Sequence, residues 1–146
     1  MPATWTLVAH ASGARLYAMR KGHAPRLLQK IDHAEGRGHA SDLVSDRAGS
    51  AVSGGGAHTA YDPRTSPREA EAQRFARQLA RVLDDGLDQQ AWERLVIVAP
   101  RRFLGVLHAR LSRPVVKRLA VSIGKDLAWL DDQHMATALV RLVPLD

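Results

Sequence analysis

The sequence predicts a single α/β domain, built on a mixed sheet of five strands with helices packed on it. Three observations predict this fold class. The chain of 146 residues matches the size of one ordinary domain. Neither a linker nor an internal repeat divides it, so residues 1–146 are expected to fold as one unit. Strand-like segments come first and then alternate with helix-like ones in the order βββαβαβα, which is typical of a hairpin sheet extended by parallel strands.

The first three elements are predicted to form a meander. Residues 4–10 alternate between two largely apolar faces, the period of a strand that is buried on both sides. Residues 14–19 predict a second strand, and the short turn at residues 11–13 makes it antiparallel to the first. Residues 26–33 contain three large aliphatic side chains and predict the third strand.

Residues 34–65 differ in composition from the rest of the chain. They hold six of the eleven glycines and four serines. Because loops longer than about 12 to 15 residues inside a compact domain are usually functional or disordered, we expect more than a simple connection. The centre of the segment is Gly54, Gly55 and Gly56, which have no side chains to pack or to restrict the backbone.

A complete start signal marks the first helix. Ser66 suits the N-cap, Pro67 suits the first helical position, and Glu69 completes a capping box. An apolar stripe at three- and four-residue steps follows, and Gly86 is predicted to end the helix as its C-terminal glycine.

Strands and helices alternate in the rest of the chain. Residues 94–99 predict a central strand, because residues 95–98 (LVIV) form a continuous apolar run, and a proline follows. Residues 101–111 predict a second helix and residues 115–123 a fifth strand, with a Ser-Arg-Pro break between them. Asp131 or Asp132 is expected to cap the last helix.

This order of elements resembles the ribonuclease-H-like fold, in which the strands lie in the order 3-2-1-4-5. Strands 1 and 4 are then parallel neighbours at the switch point of the sheet, where open α/β sheets bind ligands. His10 and Ser12 follow strand 1, and Arg101 and Arg102 follow strand 4. The topology predicts that these four residues share one crevice.

The excess of positive charge lies in one segment. The chain has 21 Lys and Arg residues against 15 Asp and Glu, and residues 101–118 hold six basic and no acidic side chains. Such a local excess predicts one basic face or pocket rather than general affinity for nucleic acid. Arg101 and Arg102, at a helix N-terminus, would suit a phosphate or carboxylate. The alternative is an ordinary solvated helix face.

Patterns for catalysis and metal binding are weak. The absence of cysteine excludes disulfide scaffolds, zinc ribbons, thiol nucleophiles and iron–sulfur centres. Histidines and carboxylates in residues 33–42 lack a fixed ligand spacing, so neither a metal nor a cofactor is predicted. His10, Ser12 and Asp126 could converge as a triad, but no nucleophile-elbow motif accompanies them. Asp46 and Arg47 are better suited to pinning the base of the loop than to acid–base chemistry.

Motifs along nearly the whole chain resemble those of the bacterial host-attachment proteins, a family said to be required for attachment to host cells. The combination is specific because the motifs occur in the same order. They are residues 4–9 (TWTLVA), 14–17 (ARLY), 42–47 (DLVSDR), 54–56 (GGG), 71 with 74–76 (E, RFA), 98–100 with 102–105 (VAP, RFLG) and 125–127 (KDL).

That family is in turn similar to the middle domain of archaeal and eukaryotic peptide-chain release factors. In those factors a Gly-Gly-Gln tip on the corresponding loop enters the ribosomal peptidyl-transferase centre and helps water to cleave peptidyl-tRNA. Here the glycines 54–56 are followed by Ala57 and His58, so the glutamine is missing. His10 also stands where the family has an aspartate, which puts any role of that carboxylate, including metal binding, in doubt.

The resemblance and the charge pattern together predict a cytoplasmic, non-catalytic binding module for an anionic partner such as RNA or the ribosome. The glycine-rich loop with His58 and the crevice with Arg101 and Arg102 would engage it. No secretion leader or membrane span is predicted from the sequence, so an attachment role would be indirect or would need unconventional export. The alternative is a hydrolase of peptidyl-tRNA or another ester, in which His58 or a water held by loop amides replaces the glutamine.

Overall fold

The computed structural model describes residues 3–32 and 66–145, and within them five strands and four helices follow one another. In chain order they are β1 (Ala3–His10), β2 (Gly13–Met19), β3 (Arg26–Asp32), α1 (Pro67–Asp88), β4 (Trp92–Ala99), α2 (Arg101–His108), α3 (Arg113–Lys117), β5 (Leu119–Gly124) and α4 (Asp132–Leu142). The predicted order of elements is therefore confirmed, with one short helix added before the last strand.

The sheet has the predicted order β3-β2-β1-β4-β5. β1 pairs antiparallel with β2 and parallel with β4, while β5 adds parallel to β4. The carboxyl ends of three parallel strands therefore lie side by side, at His10, Ala99 and Gly124. We call this side of the sheet the carboxyl edge, and the opposite side, where Trp92 and Leu119 begin their strands, the amino edge.

Helices cover both faces of the sheet, because β1 and β4 are apolar on both sides. On one face Phe75, Leu79 and Leu107 pack with Leu7 and Ile97 in a core formed with α1, α2 and α3. On the other face, the valines of β1 and β4 pack against the buried Met135 and Leu139 of α4. Alternate residues of each central strand thus serve opposite cores, as a period of two requires.

The direction of α1 follows from its aromatic contacts. Phe75, in its first half, stacks with Phe103 of α2 at a centroid distance of 6.0 Å. Gly86, near its end, lies against Trp5 at the start of β1. α1 therefore begins at the carboxyl edge, where β3 ends at Asp32. The two residues that flank segment 33–65 are consequently both on that side of the sheet.

The capping box of α1 is confirmed, but its predicted end is wrong. The Ser66 hydroxyl accepts a hydrogen bond from the Glu69 N–H at 3.1 Å, and the Glu69 carboxylate accepts one from the Ser66 N–H at 3.2 Å. The helix continues through Gly86 to Asp88, with Gln89 as its C-cap. Residue 86 is a glycine although it lies inside the helix, because a Cβ there would lie 2.5 Å from Cη2 of Trp5 and only glycine leaves room for the indole.

The connection between α2 and β5 also differs from expectation. The second helix ends at His108 rather than at residue 111. The Ser-Arg-Pro break starts α3, with Ser112 as its N-cap and a proline in its first turn, which is a favoured position for proline. Val115 belongs to α3 and is buried in the core as part of that helix, so the fifth strand begins only at Leu119.

Gly86→Ala is expected to lower the free energy of unfolding by about 1 kcal/mol or more, because overpacking against a rigid ring costs more than alanine gains in helix propensity. Gly105→Ala is the matched control, since a Cβ on this other helical glycine has nothing within 4 Å. It should stabilise the protein by up to about 1 kcal/mol. Urea denaturation followed by circular dichroism measures both. A Gly86→Ala protein as stable as Gly105→Ala would contradict the steric explanation.

Candidate functional site at the carboxyl edge

His10 is the last residue of β1 and is half-buried. Its Nδ1 accepts a hydrogen bond from the Ser12 N–H at 3.2 Å, so the neutral ring carries its proton on Nε2. Nε2 lies close to Gly13, where a Cβ would be 3.4 Å away. The turn that joins β1 to β2 therefore holds the imidazole in one orientation and brings His10 and Ser12 into contact.

Burial lowers the pKa of His10 below its ordinary value of 6.5, and the charge of Arg15 lowers it further. The carboxylate of Asp126 raises this pKa, but its effect is smaller than that of burial. Both lowering effects disfavour the charged imidazolium. His10 is therefore a neutral hydrogen-bonding group at neutral pH rather than part of a cationic site.

A cavity of about 230 Å³ opens beside His10, on the face of the sheet that α4 covers. Its polar walls are His10, Arg15, Lys30 and Asp32. The two cations share one carboxylate, because Asp132 lies 3.3 Å from Nη1 of Arg15 and 3.1 Å from Nζ of Lys30. Asp32 is a second carboxylate in the wall of the cavity, so two negative charges accompany the two cations and the cavity is a poor anion site.

Arg15 also connects β2 to the segment that precedes α4. Its Nη2 donates to the carbonyl oxygen of Leu130 at 2.7 Å and lies 3.4 Å from that of Ala128. Nη1 is buried and makes only the ion pair with Asp132, without hydrogen-bonding geometry. A guanidinium that binds two backbone carbonyls and a carboxylate fixes this segment against the sheet.

Arg101 and Arg102 form the first turn of α2, directly after β4. The N-cap is Pro100, which supplies no side-chain hydrogen bond to the helix. The Arg101 side chain crosses Gly124 at the end of β5, where a Cβ would lie 2.8 Å from its Cγ. Both arginines are exposed, and neither forms an ion pair with a carboxylate of residues 3–32 or 66–145. No described carboxylate therefore compensates their charges at the carboxyl edge.

The basic segment 101–118 does not form one face. α2 carries the chain away from the carboxyl edge, and α3 lies at the opposite side of the sheet. There the carbonyl oxygen of Arg118 accepts from the Leu95 N–H at 3.0 Å, near the start of β4. Arg113 and Lys117 flank this amino edge. The charge excess is therefore divided between two edges, because a helix and a turn separate its two halves.

The four described residues predicted to share a crevice lie at the ends of adjacent strands, but they meet only in part. His10 contacts Ser12 and lines the cavity, whereas the lining residues of that cavity include neither Arg101 nor Arg102. The other predicted site residues lie outside the described residues. They are Asp46, Arg47, Gly54, Gly55, Gly56 and His58.

Sequence reasoning missed Trp129, which lies between β5 and α4. Its side chain is 76% exposed, and its Nε1–H donates to the carbonyl oxygen of Asp126 at 2.9 Å. The residue belongs to no apolar period and stands 11 residues after the basic segment, so no pattern connects it with the arginines. The available signal was a tryptophan in the short connection between the last strand and the last helix.

Two kinds of feature are absent from residues 3–32 and 66–145. No helix there is both long and apolar enough to cross a lipid bilayer. No group of three potential metal-ligating His, Cys, Asp or Glu side chains is found in the same residues. The histidines and carboxylates considered at positions 33–42 lie outside them.

The fold and its exposed edge define a class of α/β domain that also occurs in larger proteins. An archaeal protein is similar over 98% of this chain and 34% of its own, with 9% identity and a TM-score of 0.51. Ribosome-bound archaeal Pelota, in a model with ABCE1, is similar over 95% of this chain and 32% of its own, with 15% identity and a TM-score of 0.51. At these identities the likeness shows the fold.

A third similar structure is Saccharomyces cerevisiae Dom34, a translation termination-like factor involved in RNA quality control pathways and interacting with Hbs1. It has 10% identity and a TM-score of 0.48, and the match covers 98% of this chain and 33% of that one. The chain thus spans about a third of the length of these structures. No curated protein sequence matches it.

Within this class the sequence identifies the family. The profile of the family described as "Protein required for attachment to host cells" matches residues 5–139. The chain belongs to this host-attachment family, which confirms the resemblance found in its motifs.

The lowered pKa of His10 predicts how stability depends on pH. Below about pH 6.5 the unfolded chain binds a proton at residue 10 that the folded chain takes up only at lower pH. The free energy of unfolding should therefore fall as the pH drops from 6.5 through the folded-state pKa, and then level out. His10→Gln keeps an acceptor for the Ser12 N–H and removes this titration.

Urea denaturation of both proteins across this pH range measures the difference between their free energies of unfolding. The contributions of the other histidines cancel in this difference. Wild type should lose stability relative to His10→Gln on acidification. A relative gain by the wild type would contradict the burial of a neutral imidazole.

Proposed function

We propose that this protein is a cytoplasmic, non-catalytic binding module that engages RNA of the translation apparatus through Arg101 and Arg102 at the carboxyl edge. The observation that carries the proposal is the state of these two charges. Arg15 and Lys30 each form an ion pair with Asp132, at 3.3 and 3.1 Å, whereas the arginines of α2 have no carboxylate partner among the described residues. Exposed guanidinium groups bind phosphate strongly and in a directed way.

The position of the arginines supports the same proposal. They follow β4, which neighbours β1 at the switch point of the sheet, and open α/β sheets bind ligands at such points. The backbone N–H groups of the first turn of α2 add a partial positive charge. A phosphate group placed there would be attracted both by the two guanidinium groups and by the N-terminus of α2.

The glycine-rich segment is the second part of the proposal. β3 ends and α1 begins on the side of the sheet where Arg101 lies. We assign Gly54, Gly55, Gly56 and His58 to a tip that approaches the partner. Asp46 and Arg47 are assigned to the base of the segment. The proposal of a ribosomal partner draws on the fold shared with archaeal Pelota, which is ribosome-bound in the matched structure.

Arg101→Ala/Arg102→Ala is expected to weaken binding of the protein to purified ribosomes or total RNA by at least tenfold, since it removes two charge-assisted contacts. Arg113→Ala/Lys117→Ala is the matched control, because it removes the same net charge from the amino edge. Cosedimentation and fluorescence anisotropy at several salt concentrations measure the affinities. The salt dependence should become shallower for the first variant only.

Equal weakening by both variants would show that binding follows total charge, and unchanged binding by the α2 variant would refute the site. The non-catalytic part is tested separately with peptidyl-tRNA, with and without ribosomes. If the wild type hydrolyses the ester and His58→Ala does not, the protein is a hydrolase rather than a non-catalytic binding module.

A further inference from the structure

Trp129 is an exposed aromatic side chain on the side of the sheet where Arg101 lies. We propose that it is a stacking platform for an unpaired base of single-stranded RNA, with Lys125, Arg101 and Arg102 binding the neighbouring phosphates. This inference rests on the proposed function and names the form of RNA that the edge recognises. The argument comes from how the indole is held and from what surrounds it.

The indole is held in place by its own loop. Besides the bond from its Nε1–H to the Asp126 carbonyl at 2.9 Å, the Asp126 carboxylate accepts from the Ala128 N–H at 3.1 Å. The Leu130 N–H donates to the Leu127 carbonyl at 3.0 Å, which closes a turn around Trp129. An aromatic ring fixed in this way loses little conformational entropy when a base stacks on it.

The loop is in turn fixed to the body of the domain. Leu127 and Leu130 pack on the core beneath α4. The Arg15 guanidinium binds the carbonyl oxygens of Leu130 and Ala128, the residues on either side of Trp129. The two leucines are partly buried while Trp129 is left outside. The platform is therefore built on a braced turn rather than on a free end.

Two cations lie near the start of the loop that holds the indole. Lys125 is exposed and follows Gly124, against which the Arg101 side chain packs. Asp126, which holds the indole, is only two residues from Gly124, so their Cα atoms are at most about 7 Å apart. A flat π-surface with cations beside it fits a nucleobase flanked by phosphates.

The lack of an apolar patch around Trp129 favours a base over a protein surface as its partner. The other exposed large apolar side chains of the described residues are Leu28, Val116 and Val140. They lie on β3, on α3 and near the end of α4, so they form no contiguous apolar patch with the indole of the kind that marks protein interfaces. A duplex would also hide the faces of its bases, whereas unpaired bases offer them for stacking.

The test compares three substitutions of Trp129 with labelled single-stranded oligoadenylate, the same strand in a duplex, and inorganic polyphosphate. Trp129→Leu keeps an apolar side chain without a π-face and should weaken binding of the single strand roughly tenfold, the scale of one stacked base. Polyphosphate binding should not change. Trp129→Phe and Trp129→Tyr should retain most of the affinity, although both lose the hydrogen bond to Asp126. Val140→Ala is the control for an exposed apolar side chain elsewhere.

Intrinsic fluorescence provides a second readout. Trp5 and Trp92 are 9% and 1% exposed, so quenching by added single strand reports mainly on Trp129 and should disappear in Trp129→Leu. Unchanged single-strand affinity in Trp129→Leu would overturn the platform, as would an equal loss for polyphosphate. If the platform failed in either way but Arg101→Ala/Arg102→Ala still weakened binding, the proposed function would stand without the platform. Absence of binding to all three probes by the wild type would refute both.

Discussion

The parallel pairing of β1 with β4 is the contact on which the rest of the structure depends. It joins an antiparallel meander to a pair of β–α units and buries both central strands between two layers of helices. It also sets the carboxyl end of β1, at His10, beside that of β4, at Ala99. Without this register, the residues that follow the two strands would not share an edge, although about 90 residues separate them in the chain.

Electrostatic compensation gives the two sides of this edge different properties. On the side of α4, Asp132 forms ion pairs with both Arg15 and Lys30, and burial keeps the imidazole of His10 neutral. At the start of α2, the guanidinium groups have no described carboxylate beside them. A side chain of the same type, arginine, therefore braces the fold at position 15 and has no ion-pair partner among the described residues at position 101.

Local sequence signals account for most of the fold. The capping box of Ser66 and Glu69, the alternation of β1 and the apolar run of β4 each depend on residues close together in the chain, and each gave the right element. The errors have a common cause. Gly86 is read locally as a helix end, but the ring of Trp5 requires glycine inside the helix. Val115 is read as strand, but its burial from α3 delays the strand by four residues.

The sequence by itself determined the family, the fold class, the order of the strands and the two arginines that follow the central pair, because motifs and periods are properties of neighbouring residues. Tertiary structure alone decided the environment of each charge. It divided the basic segment between two edges, paired Arg15 with Asp132, and brought Trp129 to the side where Arg101 lies. These relations join residues tens of positions apart, and no local period records which distant side chains a strand register brings together.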